Sequence, residues 1–397
     1  MVTKLYFDDS CLENKESVPY RIFQGYVDRF LVTHKPPVLE ALKFKLGRLS
    51  TTDDITTWIR FAIPRSVREL DINRSFDGYD YSFRLPECLY TYETLVVLKL
   101  SDMIYLDVPM EVCLSSLKVL HLLNLLCKNE NPISRLLSGC PVLEELVIDK
   151  NENEPEPFLY VIVPSLQILS ISSKHRNQAF VEVQPEFFEE EVLMNVPSLK
   201  YLNYVDTYDY GHVCSSNNMP ELVEATVKLV CKRPEKLMRS ITSVKRLSLC
   251  LYGSMLQHRI KFNQLVHLEL CGCPPKWWDL LTWMPHSCPK LQVLKLNKFE
   301  ERWSCYIVEP IEGHWEKPSS VPKCLLLHLN TFEWSYYNGE RQEKKVVAYI
   351  LENARCLKTA AFDDIDISSD EKANRKIKEL LSLPRASSSC QISFSVS

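Results

Sequence analysis

The sequence predicts an α/β solenoid, a curved parallel β-sheet with helices on its convex side, followed by a C-terminal α+β module. One observation behind this is a six-residue pattern, apolar-x-x-Leu-x-apolar, of which Leu291 to Leu296 (LQVLKL) is a clear instance. Its last two apolar positions are one residue pair apart, the period of a strand with one buried face. A second observation is recurrence. Matches start at Val2, Leu39, Val67, Leu95, Leu117, Leu143, Leu166, Leu199, Leu222, Val244, Leu265, Leu291, Leu329 and Leu357, with those at Leu222 and Leu357 degenerate. One such strand cannot bury its face alone, whereas a stack of them can. The third is a shared entry to the strand. Cys140-Pro141 and Cys288-Pro289 stand at one offset before it, and Val163-Pro164 and Val196-Pro197 stand at the same offset. Proline fits there because it precedes the ladder hydrogen bonds it could not make.

Most steps between starts are 21 to 28 residues, the spacing of a leucine-rich repeat, and the longer steps after Val2, Leu166 and Leu291 mark insertions. The chain therefore divides into a first repeat with its edge strand (1–38), repeats (39–299), an insertion rich in charge, tryptophan and proline (300–320), and a C-terminal block (321–397).

Between strands, several gaps read as helix. Asp53 or Asp54 is expected to cap a segment whose Ile55, Trp58, Ile59 and Ala62 recur at helical spacing. Pro132 starts another, with Ile133, Leu136 and Leu137 on one side and Gly139 as its C-terminal stop. Trp277 to Trp283 forms a third. In the C-terminal block, Asn338-Gly339 signals a turn before a helix over 341–353, with Val346, Val347, Ile350, Leu351 and Ala354 as its stripe. A second helix runs over 370–383, with Ile377, Leu380 and Leu381 inward and Pro384 as its stop, and 391–396 alternates as a last strand.

Composition removes several classes of function. Against 51 acidic residues the 47 basic ones leave a net charge of -4, so no basic excess points to nucleic acid or an anionic membrane. No apolar run approaches the roughly 20 residues of a membrane helix. Residues 1–10 have neither a cationic start nor an apolar stretch, so the 15 cysteines read as reduced thiols in the cytoplasm or nucleus. Asn73-Arg74-Ser75 is then a glycosylation sequon in spelling only.

Catalytic and metal chemistry find little support. There is no Gly-x-Ser-x-Gly elbow, His-Glu-x-x-His pair or phosphate loop, and no cofactor is expected. Cys271, Cys273, His286 and Cys288 are four zinc-capable side chains within 18 residues. Cys288, however, is a repeat position that Cys140 shares, and zinc sites favour two to four residues between paired cysteines. The basic groups on the two C-terminal helices alternate with acidic ones, as on a solvated helix face.

What remains is surface. Side chains alternate along each strand, so residues beside and between the second and third apolar positions point out of the concave sheet. The candidate partner-binding residues are Lys99, His121, Tyr201, Asn203, Lys228, Arg246, His267, Glu269, Lys295 and Asn297. Their mixed polar character suits a protein partner better than DNA or a polyphosphate.

Several motifs carry a family resemblance. Trp315-x-x-Pro318, Val321-Pro322-x-Cys324-Leu325, Leu329-x-x-Phe332-Glu333-Trp334, Tyr337-Asn338-Gly339, Tyr349-Ile350-Leu351-x-Asn353-Ala354 and Arg385-Ala386-Ser387 with Cys390-Gln391 resemble the FBD domain of plant F-box/FBD/LRR-repeat proteins. Leu136 to Leu146 (LLSGCPVLEEL) resembles the repeats of the same family. The resemblance implies a leucine-rich-repeat solenoid closed by an FBD-type module. It also implies a non-catalytic role, in which the concave face of an SCF-type ubiquitin ligase receptor selects a target protein. Members of the family usually open with an F-box that docks on a Skp-type adaptor. Here Lys4 to Ser10 resembles the segment after that box, so the box is expected to be absent and adaptor binding is not expected. The alternatives are a small-molecule receptor with its ligand on the concave face, a free-standing competitor of such receptors, and a truncated or decayed family member.

Overall fold

The computed structural model describes residues 2–12, 18–33, 39–47, 49–74, 83–127, 131–150, 158–173, 191–206, 213–230, 234–252, 260–272, 274, 276–297, 313–363 and 370–395. The chain divides into two compact units, 1–199 with 215–217, and 200–214 with 218–397.

Unit 1 is a sheet of seven strands in sequential order: β1 (Lys4–Asp8), β2 (Ala41–Leu46), β3 (Glu69–Arg74), β4 (Val97–Ser101), β5 (Val119–Leu123), β6 (Glu145–Lys150) and β7 (Ile168–Ser173). Every neighbouring pair is parallel and in register, so equivalent repeat positions form rows across the strands. Each strand begins two residues after its pattern start. The pattern's second and third apolar positions, such as Leu98 with Leu100 and Leu146 with Ile148, face a core that excludes water. Burying one such side chain stabilises by about 1.5–3 kcal/mol.

Two helices cover the first strands. The first, α1 (Val18–Thr33), follows β1, and its Val27 and Leu31 are buried. The second, α2 (Thr52–Ala62), buries Ile55, Trp58, Ile59 and Ala62, the expected stripe. Its N-cap is Thr51, however, and not either aspartate. Asp54 lies three residues on, and the two side chains bond each other's backbone N–H in a capping box. The short helix α3 (Pro132–Ser138) starts at the expected proline and stops at Gly139. That glycine has φ -90°, not the left-handed value its role as a stop suggests. Space explains it instead, because a Cβ there would meet a Val112 side-chain carbon at 2.4 Å and the Val112 carbonyl oxygen at 2.6 Å. Elsewhere in this unit several connections carry short strands, in sheets separate from the main one, in place of helix. Residues 158–162 pair with 191–195, and 83–84, 104–106 and 126–127 pair in turn.

Unit 2 contains eight further parallel strands in sequential order: β8 (Tyr201–Asp206), β9 (Glu224–Val230), β10 (Arg246–Tyr252), β11 (His267–Cys271), β12 (Val293–Asn297), β13 (Thr331–Ser335), β14 (Thr359–Asp363) and β15 (Gln391–Phe394). The C-terminal α+β segment contributes three of them, and β13 bonds directly to β12. Among the described residues five helices accompany the strands: α4 (Glu235–Ser240), α5 (Trp277–Ser287), α6 (Lys323–Leu327), α7 (Arg341–Asn353) and α8 (Asp370–Ser382). The stripe of α7 is buried as expected. On α8, Leu380 is buried but Leu381 is 47% exposed, which corrects the expectation that both point inward. Aromatic pairs bind this end together, edge to face for Trp334 with Tyr337 at 5.5 Å and Phe332 with Phe362 at 6.0 Å, and stacked for Phe362 with Phe394 at 6.0 Å.

Candidate partner-binding face

The rows that face away from the core form an open surface of side chains on each unit. Backbone N–H and C=O groups within a ladder are spent on neighbouring strands, so this surface can recognise only through side chains.

On unit 1, Lys99 stands in register with Asp71, and Lys43 holds the other side of that aspartate. Burial pushes the Asp71 carboxyl above its usual range, although Lys43, Lys99 and His121 pull it down. His121 Nε2 lies 2.8 Å from Glu145 Oε1. Both candidates from this unit thus face acidic neighbours.

On unit 2 the candidates fall on adjacent strands. Glu224, Arg246 and His267 form one row across β9, β10 and β11. Asn203, Thr226, Ser248, Glu269, Lys295 and Glu333 form the next, from β8 to β13. Lys228 follows on β9 and Asn297 on β12. Tyr201, 47% exposed, precedes them on β8.

A cleft of about 240 Å³ opens in this face, lined by Glu224, Thr226, Lys228, Arg246, Ser248, His267 and Glu269 with backbone beneath. Sequence explains the hollow, since Thr226 and Ser248 are short side chains on neighbouring strands between longer ones. Four of the ten candidates therefore share one site: Lys228, Arg246, His267 and Glu269. Lys295 and Asn297 lie on the next strand, and Tyr201 and Asn203 on the strand before.

The electrostatics are mixed. Arg246 Nε lies 3.4 Å from Glu224 Oε2, and Lys295 Nζ lies 2.5 Å from Glu333 Oε2. Burial holds the His267 imidazole below its usual pKa, and Arg246 and Lys295 reinforce this against the opposing pull of Glu333 and Glu224. Its ring is therefore neutral at pH 7. Asn297 accepts from the Gly272 N–H through its backbone oxygen at 2.8 Å, while its side-chain Oδ1 is buried without a hydrogen bond.

Glu224 and Glu333 were not among the sequence candidates. The signal for both was present: Glu333 holds the place in LNTFEW that Lys295 holds in LQVLKL, and Glu224 lies two residues before Thr226 on the same face. As for metal, Cys273 lies outside the described residues, Cys288 is wholly buried, and no cluster of three or more metal-binding side chains occurs among the described residues. No helix among them is long and apolar enough to cross a membrane.

Comparison with known proteins agrees with this architecture. Residues 316–362 match the FBD family, and residues 55–217 match the LRR repeats of FBD-associated F-box protein At5g56370. The chain is 48% identical over 399 residues to the putative FBD-associated F-box protein At3g50710 of Arabidopsis thaliana, covering 99% of this chain and 90% of that protein. It is 42% identical over 397 residues to the F-box/FBD/LRR-repeat protein At4g26340 of the same plant, again covering 99% and 90%. No solved structure matches it.

Proposed function

Since this chain belongs to the F-box/FBD/LRR-repeat family, we propose that it works without catalysis, by holding a target protein on the open face of its sheet for a ubiquitin ligase. The observation that carries this reading is the unit-2 cleft, a side-chain surface of both charge signs built across consecutive strands. Protein interfaces recognise by such complementary polar patterns, which set the choice of partner. A polyanion such as DNA would instead call for an excess of lysine and arginine. Size argues against a small-molecule receptor: about 240 Å³ is below the roughly 300–1,000 Å³ of pockets that enclose a small ligand.

Double charge reversal, Arg246→Glu with Lys295→Glu, tests the reading. Both side chains are surface groups, so folding should survive, as far-UV circular dichroism would report. Affinity capture from plant extract, quantified against the unaltered chain, should lose a defined set of proteins. An identical captured set from a folded variant would overturn the assignment of this face.

A further inference from the structure

Three polar side chains in the cleft lack a partner. Thr226, Ser248 and Glu269 are half-buried neighbours in one row, on β9, β10 and β11. Adjacent strands are about 4.8 Å apart, so Ser248 stands one step from each of the other two, and all three line the same cleft. Among the described residues none of them makes a hydrogen bond or ion pair. Each is half-buried and open to solvent, so a row of three acceptors without an internal bond is available to a donor from outside.

The surrounding charges decide which donor. Arg246 is turned to Glu224, and Lys295 to Glu333. Lys228, one row away, has an interaction of its own. His267 carries no charge at pH 7. The charge left unanswered is the Glu269 carboxylate, which has the Ser248 hydroxyl beside it on one strand and Lys295, turned to Glu333, on the other, with the Thr226 hydroxyl beyond Ser248 as a further acceptor.

We propose that the cleft receives one lysine or arginine side chain of the partner polypeptide, whose cationic head donates to the Glu269 carboxylate and to the Thr226 and Ser248 hydroxyl oxygens. This rests on the reading of the open face as the target-binding surface and specifies what that surface reads. A cationic head supplies several N–H donors at the end of an apolar stem, which matches three acceptors lining one cleft. Short side chains at 226 and 248 are what admit the stem. The Glu224–Arg246 pair beside the entrance offers a mixed contact to the partner's flanking residues.

The test is a selection of a random peptide library displayed on phage against the full chain, followed by affinity measurement on the recovered peptides. The expected result is lysine or arginine at one fixed position. Glu269→Gln, which keeps shape and removes charge, should weaken those peptides about tenfold or more. Thr226→Ala with Ser248→Ala should weaken them several-fold, and Glu269→Lys should turn the preference at that position to aspartate or glutamate. Recovered peptides without a fixed basic residue, equal binding by Glu269→Gln, or an empty selection would each overturn the inference. If such peptides still lose binding to Arg246→Glu with Lys295→Glu, the face assignment survives and only the basic-residue specificity fails. If they ignore both sets of substitutions, both readings fail.

Discussion

Replacing Asp54 by alanine isolates how the first helix is fastened to the repeats. The Asp54 carboxylate accepts from the Thr51 backbone N–H at 2.9 Å, the Thr51 hydroxyl at 2.7 Å, the Tyr20 hydroxyl at 2.7 Å and the Gln24 amide at 2.5 Å. One carboxylate thus closes the N-terminus of α2 and ties α1 to it. Losing half of a capping box costs about 1 kcal/mol. Each hydrogen bond to a charged acceptor is worth about 1.5–3 kcal/mol, but Tyr20 and Gln24 are only half-buried and water replaces part of what they lose. About 1 kcal/mol for each gives a total near 3 kcal/mol. The loss should be local to unit 1, so native-state hydrogen exchange is the suitable assay. Amides of α1 and α2 should lose protection by about two powers of ten while those of α7 stay unchanged. The bond from Trp58 Nε1 to Asp28 Oδ1, at 2.8 Å, and the Arg65 contact to the Leu31 carbonyl would remain, together with the buried Val27 and Leu31 and the packing of Phe23 on Trp58. Tyr20→Phe should produce about a third of the effect. A change below about 0.5 kcal/mol for the alanine variant, or equal losses in α1 and α7, would refute the fastening role.

Three further outcomes follow from local chemistry. Gly139→Ala should destabilise unit 1 by about 1–3 kcal/mol, because its Cβ would meet Val112 backbone as well as side chain; the shift in urea midpoint measures it. Native iodoacetamide labelling should spare Cys140 and Cys324, whose thiols burial pushes up to about 12, and Cys288, which burial and nearby Cys324 also push up. Exposed Cys11, Cys113 and Cys356 should react first, as peptide mass spectrometry would show. His267 has a folded pKa below its unfolded value of 6.5, so the unfolded state takes up its proton first as the medium is acidified. Its contribution is zero above that value, and stability falls as pH drops through 6.5 until the folded pKa is reached. His267→Gln should flatten that part of the stability profile, measured by urea titration between pH 7 and 5.

The sheet was legible because its rule is local and repeated. Each strand needs only two inward apolar side chains at a spacing of two, and even Leu222-x-x-Ala225-x-Val227, which lacks the central leucine, forms β9 with both later positions buried. The outer layer was less legible because no such repetition governs it. In α1, the buried Val27 and Leu31 share the helix with Ile22 and Tyr26, which are 65% and 59% exposed, so the apolar residues trace no narrow stripe. Asp54 passed for a cap because aspartates favour helix starts generally. Only the structure shows that Thr51 fills that place and frees the carboxylate to bind α1.

The site was legible in its direction and not in its extent. Alternation along one strand tells which side chains leave the core, and it placed all ten candidates on rows that face away from it. It says nothing of what stands beside them on the next strand, and that is where specificity arises. Lys295 and Glu269 look alike as isolated positions, each a charge between two buried leucines. Across the ladder they differ, for Lys295 is neutralised by Glu333, while Glu269 has only hydroxyls and an uncharged imidazole for close company on its other side. A strict inward code leaves the outward positions free of any packing demand, and register then assembles them into rows. In this chain the row that is left without internal partners, Thr226, Ser248 and Glu269, is therefore where a partner's charge can be read.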